Sequence, residues 1–318
     1  CEFFKTESRV LHKLEPLRAV GLGYLRLGQP LPTLSGGESQ RLKLAGHLSV
    51  TKAKTKHKSG RILFLFDEPT TGLHFDDIAT LLKAFRQLIR AGHSLVVIEH
   101  NLDVLRSCDW VIDLGPEGGR AGGQVIFSGR PDQIVSAEQS YTGQALHHYI
   151  SEGLKPEHSA DSLKKSSRAS HTHDLIVLNG AREHNLKDIE LSIPLNTFTV
   201  ITGVSGSGKS TLVQDTLYNA LCKLKARPVE QPGRHDGLDG HEAVDEVVLV
   251  DQSPIGKTAR SNPASYVGAL GPIRRLFSLE PLARERGYTA GTFSFNSGKG
   301  RCPTCGGTGF EHIEMQFL

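Results

Sequence analysis

The sequence predicts an α/β fold in which a mostly parallel β-sheet is flanked by helices and accompanied by an antiparallel β portion. Two wholly apolar runs, 62–66 and 95–98, have the composition of strands buried on both faces, which is typical of parallel sheets. A third observation is the motif G-x-x-x-x-G-K-S at 203–210, which follows a β-branched run at 197–202 and precedes a segment with helical character. This order of strand, loop and helix is the one that the motif requires.

The motif at 203–210 predicts a P-loop that binds a nucleotide. Its glycines let backbone N–H groups turn towards a phosphate, and the N-terminus of the following helix adds partial positive charge. We expect Lys209 to bridge the β- and γ-phosphates and the Ser210 hydroxyl to ligate Mg²⁺. A Gly/Ser-rich loop can also be a simple turn, but the strand, the lysine and the hydroxyl together favour nucleotide binding. The predicted nucleotide-binding residues of this loop are Gly203, Ser205, Gly206, Gly208, Lys209, Ser210 and Thr211.

The composition is that of an ordinary globular protein. The chain has 318 residues, of which 38% are hydrophobic and 22% charged, enough for about two domains. The formal net charge of +3 is compatible with nucleic acid but too weak to indicate it. No apolar run reaches the ~18 residues of a membrane span and no signal peptide is evident, so we expect a cytoplasmic protein without a membrane partner. Because the chain starts at Cys1 and stops at Leu318 in mid-pattern, we interpret it as a fragment.

The first segment with functional character is L-S-G-G-E at 34–38. It follows a helical pattern over about 1–30 that ends in a glycine-rich turn at 21–23. Ser35 and Glu38 have the spacing of a capping box, and a helix cap alone would explain both residues. The paired glycines are not explained by a cap, since they let a phosphate approach the helix N-terminus. We therefore interpret the loop as an ATP-contacting signature formed by Ser35, Gly36, Gly37 and Glu38.

The apolar run 62–66 ends in the acidic pair Asp67 and Glu68. It follows a polar loop at 51–58 and precedes a helical pattern at 78–89. Two acids at the end of a buried strand are costly unless they have a role. We expect Asp67 to coordinate Mg²⁺ through water and Glu68 to polarise the attacking water. The alternative is an acid pair in an ordinary loop.

The second apolar run, 95–98, leads to Glu99 and His100. A single histidine is more often structural than catalytic. This one, however, ends a strand predicted to be parallel to 62–66, at the edge where α/β sheets place their ligand chemistry. We therefore predict that His100 senses the γ-phosphate, with a structural histidine as the alternative. A strand at 110–114 and a small hairpin through 124–127 then close the first unit near 150.

Residues 151–173 have the composition of a linker, because they are rich in Ser, Lys, Glu and His and contain almost no large apolar residue. The sequence therefore predicts two units, 1–150 and 174–318. Gln252 follows the last strand pattern of the second unit, and its residue type alone gives it no role. The second unit carries strand patterns at 175–178, 186–193 and 247–250 and a predicted surface loop at 225–243.

Cys302 and Cys305 form a C-x-x-C pair near the end of the sequence. Two thiolates are half of a tetrahedral Zn²⁺ site, and a second pair would be expected beyond Leu318. We therefore predict half of a zinc module at 300–318. A redox pair is the alternative, although the strand and helix context of a thioredoxin motif is missing. The five cysteines are too few and too scattered for a disulfide framework, so a reducing compartment is expected.

Taken together, the signature loop, F-D-E-P at 66–69, His100 and the P-loop resemble the parts of an ATP-binding-cassette (ABC) ATPase. Longer strings narrow the resemblance to the UvrA family of excinuclease ATPases. Those similar to the C-terminal end of that family are D-E-P-T-T-G-L-H at 67–74, V-I-E-H-N-L-D-V at 97–104 and I-D-L-G-P-E-G-G at 112–119. Those similar to its second nucleotide-binding domain are G-A-R-E-H-N-L at 180–186, the P-loop, D-Q-S-P-I-G at 251–256, R-S-N-P at 260–263 and the run 293–305.

The order of the two halves departs from what this resemblance implies. In the family each P-loop half precedes its own signature half, whereas here a signature half comes first and a linker introduces a new P-loop half. Two explanations fit, a junction between two fused UvrA-like copies or a permuted gene, and we favour the junction. The unit 1–150 is then the C-terminal part of one ABC ATPase domain and 174–318 the N-terminal part of another. Whether the two halves share one ATP stays open at this point.

The resemblance implies an ATPase that recognises damaged double-stranded DNA at the start of nucleotide excision repair and has no nuclease activity of its own. Its partners would be DNA, a second copy in a homodimer and a UvrB-like helicase, and its cofactors ATP, Mg²⁺ and Zn²⁺. The resemblance also implies that Gln252 reaches the Mg²⁺ and the attacking water. The basic residues that could contact DNA are Lys257, Arg260, Arg274, Arg275, Arg284 and Arg286, for each of which a solvated surface position is the alternative.

Two other functions are compatible with an ABC-type ATPase. One is the motor of a membrane transporter, which the zinc knuckle after Gln252 disfavours. The other is a UvrA-like antibiotic-resistance protein that does not repair DNA. A scaffold without activity is disfavoured, because every position expected to act in catalysis carries a suitable residue.

Overall fold

The computed structural model of the protein describes residues 2–51, 60–151, 174–227, 229–255, 261–294, 296 and 300–307. The chain forms two compact units, one from Cys1–His57 with Gln252–Leu318 and the other from Lys58–Asp251. We call these the helical unit and the sheet unit. The strands are β1 (Ile62–Asp67), β2 (Ser94–Ile98), β3 (Trp110–Gly115), β4 (Gln124–Gly129), β5 (Leu175–Ala181), β6 (Ile189–Pro194), β7 (Phe198–Gly203), β8 (Gly237–Asp239) and β9 (Glu246–Val250).

The described residues contain nine α-helices, one π-helix and five 3-10 helices of three residues each. The α-helices are α1 (Ser8–Ala19), α2 (Gly36–Thr51), α3 (Phe75–Arg90), α4 (Leu102–Ser107), α5 (Tyr141–Ser151), α6 (Asn219–Leu224), α7 (Pro263–Tyr266), α8 (Leu270–Ser278) and α9 (Pro281–Glu285). The π-helix is Thr211–Tyr218, so the helix predicted after the P-loop begins with wide turns before it continues as α6.

A six-stranded sheet forms the centre of the sheet unit, in the order β4-β3-β7-β2-β1-β9. Its neighbouring strands run parallel except β3 and β4, which are antiparallel. The predicted α/β fold with a mostly parallel sheet and an antiparallel portion is therefore confirmed.

Strands from both sides of the predicted linker contribute to this one sheet. β7 lies between β3 and β2, and β9 pairs with β1. The predicted linker itself, 151–173, lies outside the described residues except for Ser151. Backbone hydrogen bonds between these strands therefore join the residues before the linker to the residues after it.

A second, antiparallel sheet has the order β6-β5-β8. β8 lies within 225–243, so the predicted surface loop is wrong at these three residues. Its composition of Gly, Leu and Asp gives no strand pattern, but Leu238 is 9% exposed and packs into the apolar core beneath β5. Tertiary burial of one side chain thus outweighs the low strand propensity of its neighbours.

The faces of the six-stranded sheet are covered by apolar helix faces. On one face, Phe85 of α3 contacts Phe66 and Phe198, with ring centroids 4.7 and 5.4 Å apart. On the other, Leu212, Val213 and Leu217 of the π-helix are fully buried in the cluster that includes Leu63 and Val96. Burial on both faces explains why the central strands read as continuous apolar runs.

The helical unit is built from α1, α2, α7, α8 and α9, with α1 packed against α2 and α8. Val10, Leu14 and Leu17 form the buried stripe of α1, which confirms the helical periodicity predicted there. Leu31 N donates to Ser261 O at 2.8 Å and joins the two sequence segments of this unit. Across the part of the chain that the structure describes, no helix combines the length and the apolar character needed to cross a membrane.

Candidate nucleotide site

The carboxyl ends of the parallel strands bring the predicted phosphate chemistry to one edge of the sheet unit. Asp67 ends β1, Glu99 directly follows β2, and Gly203 ends β7 and begins the P-loop. These strands are adjacent in the order β7-β2-β1. The structure therefore places the P-loop, the acidic pair and His100 in the same compact unit, although the P-loop comes from the other side of the predicted linker.

Glycine is required at several P-loop positions. Gly203, Gly206 and Gly208 have φ angles of +134°, +76° and +105°, which side chains with a Cβ rarely adopt. A Cβ on Gly208 would also lie only 2.7 Å from Leu186 Cδ2. The loop therefore depends on glycine for its shape as well as for access to the backbone N–H groups.

The P-loop is held from outside by a glycine turn that follows β3. Gly119 N donates to Gly206 O at 2.9 Å, and Gly123 N donates to Ser207 O at 3.1 Å. The Asn185 amide bridges both loops, donating to Gly206 O at 2.9 Å and to Gly119 O at 3.1 Å. Sequence reasoning assigned no role to Asn185, and its only signal was membership of the G-A-R-E-H-N-L string.

The Lys209 side chain is hydrogen-bonded to the backbone of the P-loop itself. Its ammonium donates to Gly203 O at 2.9 Å and to Val204 O at 3.0 Å. Burial lowers the pKa of Lys209, while the nearby carboxylates of Glu68, Asp113 and Asp67 act in the opposite direction. An ammonium that is partly removed from water and hydrogen-bonded to neutral carbonyls is suited to a multivalent anion.

A second observation supports a fit to phosphate. The Ser207 side chain is fully buried, and its Oγ has no hydrogen-bond partner among the described residues. Buried polar atoms are nearly always paired, so an orphaned hydroxyl within a phosphate-binding motif is consistent with a loop built around a ligand. The residues present fit a nucleoside triphosphate.

The acidic pair lies beside the helix that follows the P-loop. Gln214 Nε2 donates to Asp67 Oδ2 at 2.7 Å. Burial raises the pKa of Asp67, and the Gln214 hydrogen bond opposes that rise. Glu68 has a φ of +43°, and its N–H donates to Ile98 O of β2 at 3.0 Å. A non-glycine residue in this backbone region is uncommon and costs energy, which is typical of residues held for a function.

Glu99 is the residue at this edge that sequence reasoning missed. Its side chain is buried, and its carboxylate accepts hydrogen bonds from Thr70, His100 and Asn101. His100 itself is exposed. An acid at the end of a wholly apolar strand is the pattern that identified Asp67 and Glu68, and Glu99 has the same pattern.

Asp113 is a second missed carboxylate, within β3 and opposite Thr202 of β7. Ser140 Oγ donates to its Oδ2 at 2.5 Å, and Thr142 Oγ1 donates to its Oδ1 at 3.2 Å. Burial raises the pKa of Asp113, with these two hydrogen bonds and Lys209 opposing the rise. An acid inside an otherwise apolar strand was the available signal.

The signature loop lies in the helical unit, where it forms a complete capping box. Ser35 N donates to Glu38 Oε2 at 2.8 Å, and Glu38 N donates to Ser35 Oγ at 3.2 Å. Tyr24 Oη donates to Glu38 Oε1 at 2.6 Å. Burial favours a higher pKa for Glu38, but the hydrogen bonds from Tyr24 and Ser35 hold it below its usual value. The cap thus accounts for Ser35 and Glu38, as their spacing allowed.

Gln252 also belongs to the helical unit and lies against the signature loop. A Cβ placed on Gly36 would come within 3.2 Å of Gln252 Oε1, so the absence of a side chain at this position admits the glutamine. Gly36 and Gln252 therefore lie together, while Lys209, Asp67 and His100 belong to the sheet unit.

The predicted zinc and DNA-contacting residues are described only in part. Cys302 is exposed and Cys305 partly buried, while 308–318 lies outside the described residues. No group of three or more metal-binding side chains occurs in the described ranges. Lys257 and Arg260 also lie outside them. Of the remaining basic candidates, Arg274 is half-buried, and its Nε donates to Ala290 O at 2.7 Å. The other three are exposed, namely Arg275, Arg284 and Arg286.

Comparison with known proteins identifies close relatives of the chain. It is 43% identical to the UvrABC system protein A of Rhizobium meliloti over 313 residues, which cover 98% of this chain and 30% of that protein. It is 44% identical to that of Thermus thermophilus over 311 residues, covering 97% of this chain and 31% of the relative. No family model matches. The chain thus spans about a third of the length of these curated relatives.

Among solved structures, the chain is similar to UvrA2 from Deinococcus radiodurans, with 40% identity over 96% of this chain and 35% of that one and a TM-score of 0.40. The sequence alignments bear on the order of the two halves. Because each covers almost the whole chain but only 30–31% of the relative, a signature stretch followed by a P-loop stretch occurs within single relatives. The order is therefore accounted for by a single UvrA-like sequence, and neither the favoured fusion of two copies nor a permuted gene is needed to explain it.

Proposed function

The chain belongs to the UvrA family over the segment that it spans, and from this premise we propose that it is part of an ATP-hydrolysing protein that recognises damaged DNA in nucleotide excision repair. The observation that carries the ATPase part of this proposal is the position of the P-loop and of Asp67 and Glu68 at one edge of the same sheet. A P-loop alone indicates nucleotide binding. A P-loop with two acids beside it supports hydrolysis.

In this proposal the P-loop residues hold the triphosphate. Backbone N–H groups of Ser205, Gly206 and Gly208 surround the phosphate oxygens, and the Lys209 ammonium exchanges its carbonyl partners for them. Thr211 is expected to contact the same nucleotide from the first turn of the following helix. Bound Mg²⁺ would neutralise phosphate charge, and the residues suited to hold it are Ser210, Asp67 through water, and Gln252.

Hydrolysis needs a group that orients and activates water. Glu68 is the candidate for this role, because it follows Asp67 at the same strand end and is fixed to β2 through its own N–H group. His100 is the candidate for sensing the γ-phosphate, since it follows the adjacent strand. Gln252 is proposed to respond to the state of the nucleotide together with the signature residues Ser35, Gly36, Gly37 and Glu38.

The proposed cellular role follows from the relatives rather than from the site. ATP binding and hydrolysis would shift the populations of conformations that bind and release DNA. DNA contacts would fall mainly on phosphates and on altered duplex deformability, because a sensor of varied lesions cannot depend on base identity. We further propose a homodimer that loads a UvrB-like helicase.

We also propose that Cys302 and Cys305 contribute half of a Zn²⁺ site. The two thiols are partly accessible and spaced as zinc ligands, and two further ligands must come from elsewhere. Zinc in this position would have a structural role, since a site filled by four protein ligands leaves no open coordination position.

The test is ATPase activity of the full-length protein that carries this chain, measured with no DNA, undamaged duplex and duplex with a bulky lesion. We expect hydrolysis that depends on Lys209 and that changes, together with DNA affinity, when the lesion is present. If the lesion alters neither hydrolysis nor affinity, the repair function is wrong. If the wild-type protein does not hydrolyse ATP, the ATPase function is wrong as well.

A further inference from the structure

Glu99 is a buried carboxylate that joins two segments of the candidate site. Its side chain is 1% exposed, yet neither carboxylate oxygen lacks a partner. Oε1 accepts from Thr70 N at 2.9 Å and from the Thr70 hydroxyl. Oε2 accepts from His100 N at 2.9 Å and from Asn101 N at 3.0 Å. Four hydrogen-bond donors offset the cost of burying the carboxylate and fix the position of its two oxygens.

The segments that Glu99 joins are those that carry the proposed hydrolytic groups. Thr70 lies in the turn that begins with Glu68, and His100 is the residue next to Glu99. The Glu99 backbone is fixed as well, since its N–H group donates to Ile201 O of β7 at 3.1 Å, two residues before the P-loop begins. One residue therefore links the turn after β1, the turn after β2 and the strand that leads into the P-loop.

We propose that Glu99 is a positioning residue for ATP hydrolysis, fixing the spacing between Glu68 and His100. The inference rests on the proposed ATPase function. The acid and the histidine leave different strands, so their spacing depends on how the two turns are joined. Catalysis is sensitive to displacements of about 1 Å, and a residue that sets such a spacing affects turnover more than binding.

The substitution Glu99→Gln isolates this role because it changes hydrogen-bonding capacity with little change in shape. A glutamine amide offers one acceptor oxygen and one NH₂ group, which cannot accept. If the oxygen faces His100 and Asn101, the Thr70 N–H loses its acceptor. If it faces Thr70, the N–H groups of His100 and Asn101 lose theirs. In either orientation the bridge is broken on one side.

The experiment compares kcat and KM for ATP in the full-length protein carrying this chain, as wild type, Glu99→Gln and Asp109→Asn. Asp109 is a matched control, since it also joins two segments through its carboxylate but lies before β3, at the other edge of the sheet. We expect Glu99→Gln to lower kcat by about 100-fold, with KM changed less than about threefold. Asp109→Asn should lower thermal stability and leave kcat unchanged.

A second variant keeps the test decisive if Glu99→Gln does not fold. Thr70→Val removes only the hydroxyl donor, so kcat should fall about tenfold. If both variants fold, the effect of Thr70→Val should not add to that of Glu99→Gln. Wild-type kcat in either folded variant, or a raised KM with unchanged kcat, would overturn the positioning role. An inactive wild type, or a Lys209→Ala variant as active as the wild type, would instead overturn the proposed ATPase function.

Discussion

At the amino-terminal edge of the six-stranded sheet, Asp109 accepts hydrogen bonds from Arg86 Nη1 at 2.9 and 3.0 Å and from Phe198 N at 2.9 Å. At the carboxyl-terminal edge, Lys209 is bonded to two neutral carbonyls, Ser207 Oγ has no partner among the described residues, and Glu68 has a positive φ. Both edges belong to the same sheet and the same compact unit.

The difference between the edges distinguishes stability from chemistry. At the amino-terminal edge a cation, a carboxylate and a backbone N–H group satisfy one another, so the network completes itself. At the carboxyl-terminal edge, in contrast, hydrogen-bonding groups and charges are available to a ligand. Glu99 is the exception there, because its carboxylate is fully paired and belongs by this criterion with the framework that supports the site.

The substitution with the largest expected effect is Glu68→Gln. Removing the group that activates water should lower ATP turnover by about 1,000-fold, within the range of general base catalysis. ATP binding should persist, because the P-loop is unchanged, and the nucleotide should stay trapped. Single-turnover kinetics together with binding of radiolabelled ATP would measure both quantities. Unchanged turnover would mean that Glu68 is not the base or that the site is not assembled from these residues.

Lys209→Ala should have the next largest effect, and it acts on binding. The charge-assisted hydrogen bonds to phosphate contribute about 3 kcal/mol, so affinity for ATP should fall about 100-fold. Calorimetric titration of the full chain with ATP measures the change. Asp109→Asn serves as the control from the opposite edge and should bind ATP as the wild type does. Equal affinity of Lys209→Ala and wild type would exclude this loop as the phosphate site.

The central strands of the sheet could be predicted from the sequence, because strands that are buried on both faces consist of continuous apolar runs. The acids after β1 stood out against that background, and the P-loop is specified by its spacing. Glu99 follows an apolar run in the same way, but its role as a bridge between two turns could not be predicted. Its partner Thr70 is recognisable only once the register is known, in which Asp67 lies opposite Ile98.

Several short elements were also missed, among them α5 and β8. α5 is short and has only Gly143 and Leu146 buried, so few of its residues belong to the core. β8 consists of Gly, Leu and Asp and pairs with β5 through its backbone. β8 is thus stabilised by pairing and by the burial of Leu238, which its local sequence does not indicate.

At the amino-terminal edge, Asp109→Asn should lower stability without affecting the site. The Arg86 guanidinium would lose its ionic partner, and about 1–2 kcal/mol of the free energy of unfolding should be lost, since the pair is only partly buried. Urea denaturation of the full chain measures this loss. A lower affinity for ATP in this variant would contradict the separation of the two edges.

The smallest expected effect concerns pH and Asp113. Burial raises the pKa of this carboxyl, so the folded state holds a proton that the unfolded state has released, in the window between the two pKa values. The stability contributed by Asp113 is therefore present in acid and is lost as pH rises through the pKa of the folded state. The amide in the Asp113→Asn variant does not titrate. The stability of this variant relative to wild type should thus increase with rising pH, by on the order of 1 kcal/mol, the size of a single buried polar contact.

Denaturation of both proteins across the acidic range to pH 7 measures this difference directly, and other titrating groups largely cancel because they occur in both. A difference that is flat across the range would mean that the hydrogen bonds from Ser140 and Thr142 fully offset the burial of Asp113. The hydrogen bonds of Asp113 would then form a complete network like that of Asp109, even though Asp113 lies near Lys209. If the stability of Asp113→Asn relative to wild type increases with pH, the two hydrogen bonds do not fully offset the cost of burying the charged form of Asp113 within β3.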